Sequence, residues 1–306
     1  MKILVMGAGA VGGYFGARLQ EAGEEVVFCA RGENLRAMRE RGLSVESFRG
    51  DLRLEKVNAT ADPRDSSPYD LILFCVKAYD TDAAAQLIEG CLRPGGAILT
   101  LQNGVESESR LAERFGTASV MGGNARVGAE LAAPGKIVHH STGAIEFGEL
   151  DGSSSARALE IADTFRRAGI FGQLVADIRS RRWYKLLWNS AFNAVTTITR
   201  RRVGDLLDDP DGLRLVRTLM EETLAVARAD GAALTADHID ELLAHSERNL
   251  RALKTSTHQD FERGKRLEYE ALSGAVMRVA RRHGIKVPAT EVVYALLKLL
   301  DAGRKT

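Results

Sequence analysis

The sequence predicts an α/β domain followed by an all-helical domain, and three observations support this division. Short apolar runs recur through the first 177 residues, as expected for buried parallel strands. Segments with a helical repeat of apolar residues separate several of these runs. From residue 178 onward the strand patterns stop and only helical patterns remain. We therefore predict two domains, residues 1–177 and residues 178–306.

The first strand and helix carry the most informative motif. Residues 2–6 form a short apolar strand, and a Gly-x-Gly-x-x-Gly sequence then opens a helix that runs to about residue 22. Its first glycine makes a tight turn, its second lets the backbone approach a pyrophosphate, and its third allows close helix packing. A second strand at residues 25–30 completes the context of a Rossmann-like dinucleotide-binding domain. The predicted cofactor-binding residues here are Gly7, Gly9, Ala10, Val11 and Gly12.

The residue that follows the second strand distinguishes the two nicotinamide dinucleotides. NAD-binding domains place Asp or Glu there, about 20 residues beyond the glycines, to bind the ribose 2′-hydroxyl. This chain has Arg31, whose guanidinium suits a 2′-phosphate, so the sequence favours NADP(H). The alternative is that Arg31 is a surface side chain and that Glu33 reaches the ribose.

The rest of the first domain reads as further strands with polar residues at their ends. Lys77 ends a strand at residues 71–76, and Asn103 follows a strand at residues 97–101. Ligands of doubly wound sheets bind beyond the carboxyl ends of the strands, so both residues are placed for a cofactor or substrate. The alternative is that they are loop residues at helix starts. The other predicted elements are a hairpin at 43–58, a loop at 62–69, strands at 119–127, 136–140, 144–147 and 171–176, and a helix at 156–168.

The second domain opens with a helix that carries a row of polar side chains. Lys185, Asn189 and Asn193 are spaced four residues apart, which places them on one face of an α-helix whose other positions are apolar. Buried polar groups need partners, and a substrate would supply them. The alternative is hydrogen bonding to neighbouring backbone. Further helices are predicted at 212–229, 235–253, 267–282 and 288–302.

Taken in order, these motifs resemble the ketopantoate reductases (2-dehydropantoate 2-reductases) over nearly the whole chain. The resemblance rests on the glycine loop, Arg31, Val76-Lys77, Gln102-Asn103-Gly104 and residues 185–189. It implies an N-terminal NADPH-binding domain, a helical C-terminal domain and an active site in the cleft between them. It also implies that Lys185 is the general acid, that Lys77 binds the cofactor, and that three asparagines contact the substrate or the nicotinamide side, namely Asn103, Asn189 and Asn193.

Two further residues acquire roles from the resemblance. Ser256 stands in a serine-containing motif before Gln259-Asp260, which implies contact with the substrate carboxylate. Glu268 follows at the interval at which the family carries a glutamate that contacts the substrate hydroxyl and the cofactor. The chain has Thr257-His258 where relatives often have Met-Leu, and Val203 where some relatives have another asparagine.

The resemblance implies NADPH-dependent reduction of 2-dehydropantoate to pantoate, a step of pantothenate and coenzyme A biosynthesis. One alternative is the same chemistry on a different small 2-oxo acid. Another is a non-catalytic NADP(H) sensor that binds a protein partner through its helices. The lysine and amide row favours an enzyme, because a sensor needs no buried proton donor.

Composition restricts the partners and the compartment. A net charge of +1 provides no overall field to attract nucleic acid or an anionic membrane. Three cysteines without a Cys-x-x-Cys spacing predict reduced thiols in the cytoplasm. Six histidines form no zinc motif, so no metal is expected. The sequence leaves open a homodimer formed through the helical domain.

Overall fold

Ten strands form one sheet within residues 1–303, which are the residues that this computed structural model describes. The strands are β1 Lys2–Met6, β2 Glu25–Cys29, β3 Leu43–Ser47, β4 Leu52–Leu54, β5 Asn58–Thr60, β6 Tyr69–Phe74, β7 Leu92–Thr100, β8 Val120–Ala133, β9 Lys136–Glu149 and β10 Phe171–Leu174. The order across the sheet is β4-β3-β9-β8-β7-β6-β1-β2-β5, and β10 pairs with β9.

The parallel part of the sheet positions the candidate cofactor residues. β1 lies between β2 and β6, and all three run parallel. The chain passes from β1 to one side of the sheet and later returns to the other side, so the strand order reverses at β1. Ligands of such sheets bind beyond the carboxyl ends of the strands at this reversal. The segments that follow β1, β2 and β6 therefore lie where ligands of such sheets bind.

Apolar side chains of β1 alternate between the two faces of the sheet. Ile3 and Val5 belong to one buried cluster, and Leu4 and Met6 to another on the opposite face. Such burial on both faces explains why the strand reads as a continuous apolar run. The helices of this unit are α1 Ala10–Glu21, α2 Gly32–Arg41, α3 Thr81–Leu87, α4 Ser107–Phe115 and α5 Ala156–Arg167.

The rest of the chain forms a helical unit with its own core. Large side chains from several helices, among them Trp183, Phe192 and Met220, are fully buried in one cluster. The helices are α6 Ile178–Trp188, α7 Ala194–Thr199, α8 Val203–Asp208, α9 Pro210–Ala229, α10 Asp237–Asn249, α11 Ser256–Glu262, α12 Ser273–Arg282 and α13 Pro288–Ala302. The α/β class followed by an all-helical part is confirmed. None of the helices in residues 1–303 is long and apolar enough to cross a membrane.

The division between the two units does not follow the chain strictly. The first unit contains Met1–Gln102 and Ser107–Ile178. The second contains the chain from Arg179 onward together with the short segment Asn103–Glu106. A candidate site residue of the first predicted domain, Asn103, therefore belongs to the helical unit.

Several predicted element boundaries were wrong. The strands predicted at 136–140 and 144–147 are one strand, β9, because pairing with β8 continues through a register irregularity near Thr142. The helix predicted from residue 267 begins at Ser273, after turn residues 269–272, and the amide of Leu267 donates to the Asp301 carboxylate. The three-residue strand β5 was missed, because so short a segment has no readable period.

Candidate functional site

The glycine loop between β1 and α1 is closed toward the sheet and open at its centre. Gly7 has φ of 98°, and a Cβ there would lie 2.8 Å from the backbone nitrogen of Val76. A Cβ at Gly12 would lie 2.4 Å from the carbonyl oxygen of Gly7. At Gly9, by contrast, a Cβ would meet no atom of residues 1–303 within 4 Å. The loop therefore fits a ligand that approaches the backbone at Gly9, as a pyrophosphate does.

Hydrogen bonds from neighbouring elements hold this loop in place. The amide of Ala8 donates to the carbonyl of Cys29 at the end of β2, at 2.9 Å. Asn34 donates from Nδ2 to the carbonyl of Ala8 at 2.8 Å and accepts from the amide of Gly135 at 2.9 Å. Sequence reasoning missed Asn34, because no motif marks it. Ala10 and Val11 form the first turn of α1, where helical amides lack an acceptor within the helix.

Arg31 and Lys77 lie at the carboxyl ends of β2 and β6. Arg31 precedes α2, its side chain is 76% exposed, and its Nη2 lies 2.6 Å from Oδ2 of Asp80. Lys77 is half-buried and precedes a short 3₁₀ turn that ends at Asp80. Glu33, the alternative ribose ligand, pairs with Arg36 one turn along α2. The sequence did not single out Asp80 as a partner of Arg31.

The buried Gln102 ties the ends of two strands together. Its Nε2 donates to the carbonyl of Val76 at 3.0 Å and to the hydroxyl of Thr81 at 2.9 Å. These bonds hold the segment after β7 against the segment after β6. Gln102 therefore has a structural role immediately before the candidate residue Asn103.

The segment Asn103–Glu106 is anchored on the helical unit. Arg182 of α6 donates to the carbonyl of Gly104 at 2.6 Å. Gly104 has φ of 91°, and a Cβ there would lie 2.4 Å from the carbonyl oxygen of Ala271. Glu106 pairs with Arg278 of α12 at 2.7 Å. Only glycine fits at position 104, so the conformation of this segment is closely defined.

This anchoring brings together two predicted site residues that are 165 positions apart. Nδ2 of Asn103 lies 3.5 Å from Oε2 of Glu268, at the outer limit of a hydrogen bond. Glu268 is 7% exposed and lies in the turn before α12. The structure thus places a carboxylate and a carboxamide side by side in the helical unit.

Glu270, two residues later, belongs to a separate network. Its carboxylate accepts from Tyr294 at 2.6 Å and from Arg278 at 2.8 Å. Burial favours a higher pKa for Glu270, but the bonds from Tyr294 and Arg278 outweigh it and lower that pKa. The same hydrogen bond raises the pKa of Tyr294 to about 12. This network packs α12 against α13 and is distinct from Glu268.

A π-helical turn interrupts the helix that carries Lys185, Asn189 and Asn193. Lys185 lies in α6 and is half-buried, but residues Asn189–Asn193 form a π-helical turn between α6 and α7. A turn with i→i+5 bonds is wider than an α-helical turn, and Asn189 and Asn193 are its first and last residues. Asn189 and Asn193 are both buried, at 8% and 2% exposed. π turns occur frequently at functional sites.

Asn193 is linked to α11 by a side chain. Its Nδ2 donates to the hydroxyl of Thr257 at 3.2 Å, while its buried Oδ1 has no hydrogen-bond partner among residues 1–303. The sequence left open a hydrogen bond from this side chain to neighbouring backbone. The Nδ2 atom of Asn193 instead donates to a side-chain hydroxyl. Ser256, the predicted carboxylate ligand, is exposed as the first residue of α11. Thr255 caps that helix and bonds Thr196 of α7 at 2.9 Å.

The cysteines and histidines do not add a second chemistry. All three cysteines are free thiols. Burial raises the pKa of Cys29 to about 11 and that of Cys75 to about 12, so neither is a thiolate near neutral pH. Across residues 1–303, no group of three or more His, Cys, Asp or Glu side chains is arranged to hold a metal.

Two family models match consecutive parts of the chain. The model described as "Ketopantoate reductase PanE/ApbA" matches residues 3–152. The model described as "Ketopantoate reductase PanE/ApbA C terminal" matches residues 177–301. The first model matches most of the first unit and the second matches most of the helical unit.

Individual relatives match over the full length. The chain is 31% identical over 310 residues to the 2-dehydropantoate 2-reductase of Nostoc sp., covering 100% of this chain and 97% of that protein. It is 33% identical to the 2-dehydropantoate 2-reductase of Archaeoglobus fulgidus, covering 99% and 98%. Among solved structures, a PanE/ApbA family ketopantoate reductase from Ralstonia eutropha has 35% identity and a TM-score of 0.92, with 100% of both chains covered.

Proposed function

The chain belongs to the ketopantoate reductase family, a family of oxidoreductases, and we propose from this premise that it reduces 2-dehydropantoate to pantoate with NADPH. The observation that carries the proposal is the contact between Asn103 and Glu268. The resemblance implies that Asn103 contacts the substrate or the nicotinamide side and that Glu268 contacts the substrate hydroxyl and the cofactor. The two residues meet although they are 165 positions apart.

We assign the cofactor to residues 1–177. The open backbone at Gly9 supports binding of the pyrophosphate there, with Gly7, Ala10, Val11 and Gly12 forming the loop around it. The exposed guanidinium of Arg31 suits the 2′-phosphate. Lys77 adds a second positive charge at the neighbouring strand end.

We assign the substrate and the proton transfer to residues 178–306 and to Asn103. When bound, the reduced nicotinamide supplies a hydride to the keto carbon. Lys185 protonates the ketone oxygen, which would otherwise become an alkoxide. Glu268 accepts a hydrogen bond from the substrate hydroxyl, and the carboxamides of Asn103, Asn189 and Asn193 orient the substrate without acting as acids. Ser256 binds the substrate carboxylate.

A different small 2-oxo acid is the second candidate substrate. The observation that favours it is the bond from Asn193 to Thr257, because Thr257 stands where relatives often have a different residue type. A hydroxyl at this position changes how a candidate substrate ligand is oriented.

The test is NADPH oxidation by the purified protein with 2-dehydropantoate and a panel of other 2-oxo acids. We expect the highest kcat/KM with 2-dehydropantoate and formation of one pantoate for each NADPH consumed. A higher value with another 2-oxo acid would reassign the substrate while keeping the reaction. NADPH binding without turnover on any of them would favour a sensor.

Cofactor preference is measured separately by binding. We expect NADPH to bind more tightly than NADH by about 2 kcal/mol. The reason is that only NADPH carries the 2′-phosphate with which Arg31 makes a charge-assisted contact. Fluorescence titration of the protein with each dinucleotide gives the two Kd values. Equal values would contradict the assignment of Arg31.

A further inference from the structure

Asp80 is the side chain that faces the candidate 2′-phosphate residue. Arg31 follows β2 and Asp80 lies just beyond β6, 49 positions away in the chain. Their side chains meet at 2.6 Å between Nη2 and Oδ2. The Arg31 side chain is 76% exposed and that of Asp80 is 28% exposed, so a ligand can reach both.

The Arg31–Asp80 ion pair contributes little to the stability of the fold. Asp80 precedes α3, but its side chain makes no capping hydrogen bond to that helix. Ion pairs as exposed as this one contribute little to folding stability. The carboxylate of Asp80 can therefore change the affinity of Arg31 for a ligand that binds its guanidinium.

The charge of Asp80 acts in opposite directions on the two dinucleotides. A 2′-phosphate must compete with this carboxylate for the guanidinium of Arg31 and is repelled by its negative charge. A 2′-hydroxyl, in contrast, can donate to a carboxylate, which is the role of the acid that NAD-binding domains carry after the second strand. Here the carboxylate of Asp80 follows β6 and the guanidinium of Arg31 follows β2. A group that suits a 2′-hydroxyl and a group that suits a 2′-phosphate therefore lie side by side.

We propose that Asp80 is a specificity-determining residue whose carboxylate competes with the 2′-phosphate for Arg31 and accepts the 2′-hydroxyl, and so narrows the preference for NADPH over NADH. This inference rests on the proposed function, because it requires a nicotinamide dinucleotide on the first unit. It goes beyond that function because it assigns to Asp80 an effect on the ratio of the NADH and NADPH affinities.

The test compares Kd values for NADPH and NADH, measured by titration without substrate, in the full-length protein. In Asp80→Asn we expect the ratio of the NADH Kd to the NADPH Kd to rise about three- to tenfold, since one charge-assisted competitor is removed. The matched control is Asp82→Asn, which removes the same charge from α3 where Asp82 pairs with the exposed Arg110 at 2.7 Å. That ratio should stay within about twofold of the wild-type value, as expected for an exposed charge elsewhere.

A double variant tests the pairwise mechanism. In an Arg31→Ala background, Asp80→Asn should change NADPH affinity less than it does in the wild type, because the competition for Arg31 no longer exists. An unchanged Kd ratio in Asp80→Asn, an equal rise in Asp82→Asn, or an undiminished effect without Arg31 would each overturn the proposal. A wild type that binds both dinucleotides equally would contradict the NADPH assignment, but the response of the ratio to Asp80→Asn would still decide this inference.

Discussion

At the scale of single residues, the candidate chemistry depends on a few side chains whose roles can be separated. Lys185 is half-buried in α6, while Glu268 is 7% exposed in the turn before α12. One is proposed to move a proton and the other to hold the substrate. Different kinetic parameters should therefore respond to their removal.

Lys185→Ala should remain folded, still bind NADPH, and lose at least ~100-fold in turnover, the cost typical of a missing general acid. Lys185→Arg is the informative companion, because it keeps the positive charge but holds its proton too tightly to donate it. Steady-state kinetics with the best substrate and NADPH titration give both readouts. Near-normal turnover in the alanine variant would mean that the proton comes from another group.

Glu268→Ala should reduce kcat/KM for the keto acid far more than it weakens NADPH binding. The physical reason is that the carboxylate is proposed to accept a hydrogen bond from the substrate, and charged bonds of this kind contribute about 1.5–3 kcal/mol. Glu270→Ala is the matched control, since that carboxylate is bound by Tyr294 and Arg278 instead. If kcat/KM is unchanged in the Glu268 variant, its carboxylate serves the Asn103 segment only.

At the scale of elements, α13 begins with amides that another helix satisfies. The residue before α13 provides no side-chain cap, but Glu222 of α9 accepts from the amides of Ala289 and Thr290, each at 2.8 Å. The Thr290 hydroxyl donates to the same carboxylate at 2.7 Å. Glu222 therefore acts as a cap supplied from outside the helix.

Glu222→Ala should destabilise α13 by about 1–2 kcal/mol, the usual cost of a lost cap with its charged bonds. Native-state hydrogen exchange of the α13 amides measures this directly. Glu221→Ala removes the exposed neighbour on the same helix and should change exchange by less than about 0.5 kcal/mol. Equal protection in the two variants would show that α13 is held by its apolar face alone.

At the scale of the whole molecule, two buried histidines link stability to pH. Burial lowers the pKa of His258, and this effect outweighs the charge of Glu262, which acts in the opposite direction. Burial also lowers the pKa of His139, with Arg49 and Arg18 acting in the same direction. The folded chain then binds fewer protons than the unfolded chain once the pH falls below about 6.5.

The unfolding free energy should therefore decrease as the pH falls from about 6.5 toward 5, and His258→Gln should make this decrease shallower. Denaturant unfolding at several pH values measures the slope. His245→Gln removes an exposed histidine and should leave the slope as it is in the wild type. An identical slope in the two variants would show that His258 does not contribute to the acid sensitivity.

Local patterns in the sequence determined the fold class and the glycine loop. A buried strand such as β1 reads as an apolar run because both of its faces are covered, and this information lies in five consecutive residues. The glycines at 7 and 12 were likewise readable, because a turn and a close helix contact each demand a residue without Cβ at a set spacing.

Contacts between distant positions were decided only by the tertiary structure. Arg31 meets Asp80, and Asn103 meets Glu268, because separate strand ends and turns are brought together by packing that no local repeat records. The π turn at Asn189–Asn193 interrupts a helix that a 3.6-residue repeat predicts to be continuous. Periodicity reports which face of an element is buried, whereas the partner of a polar side chain depends on how whole elements pack against one another.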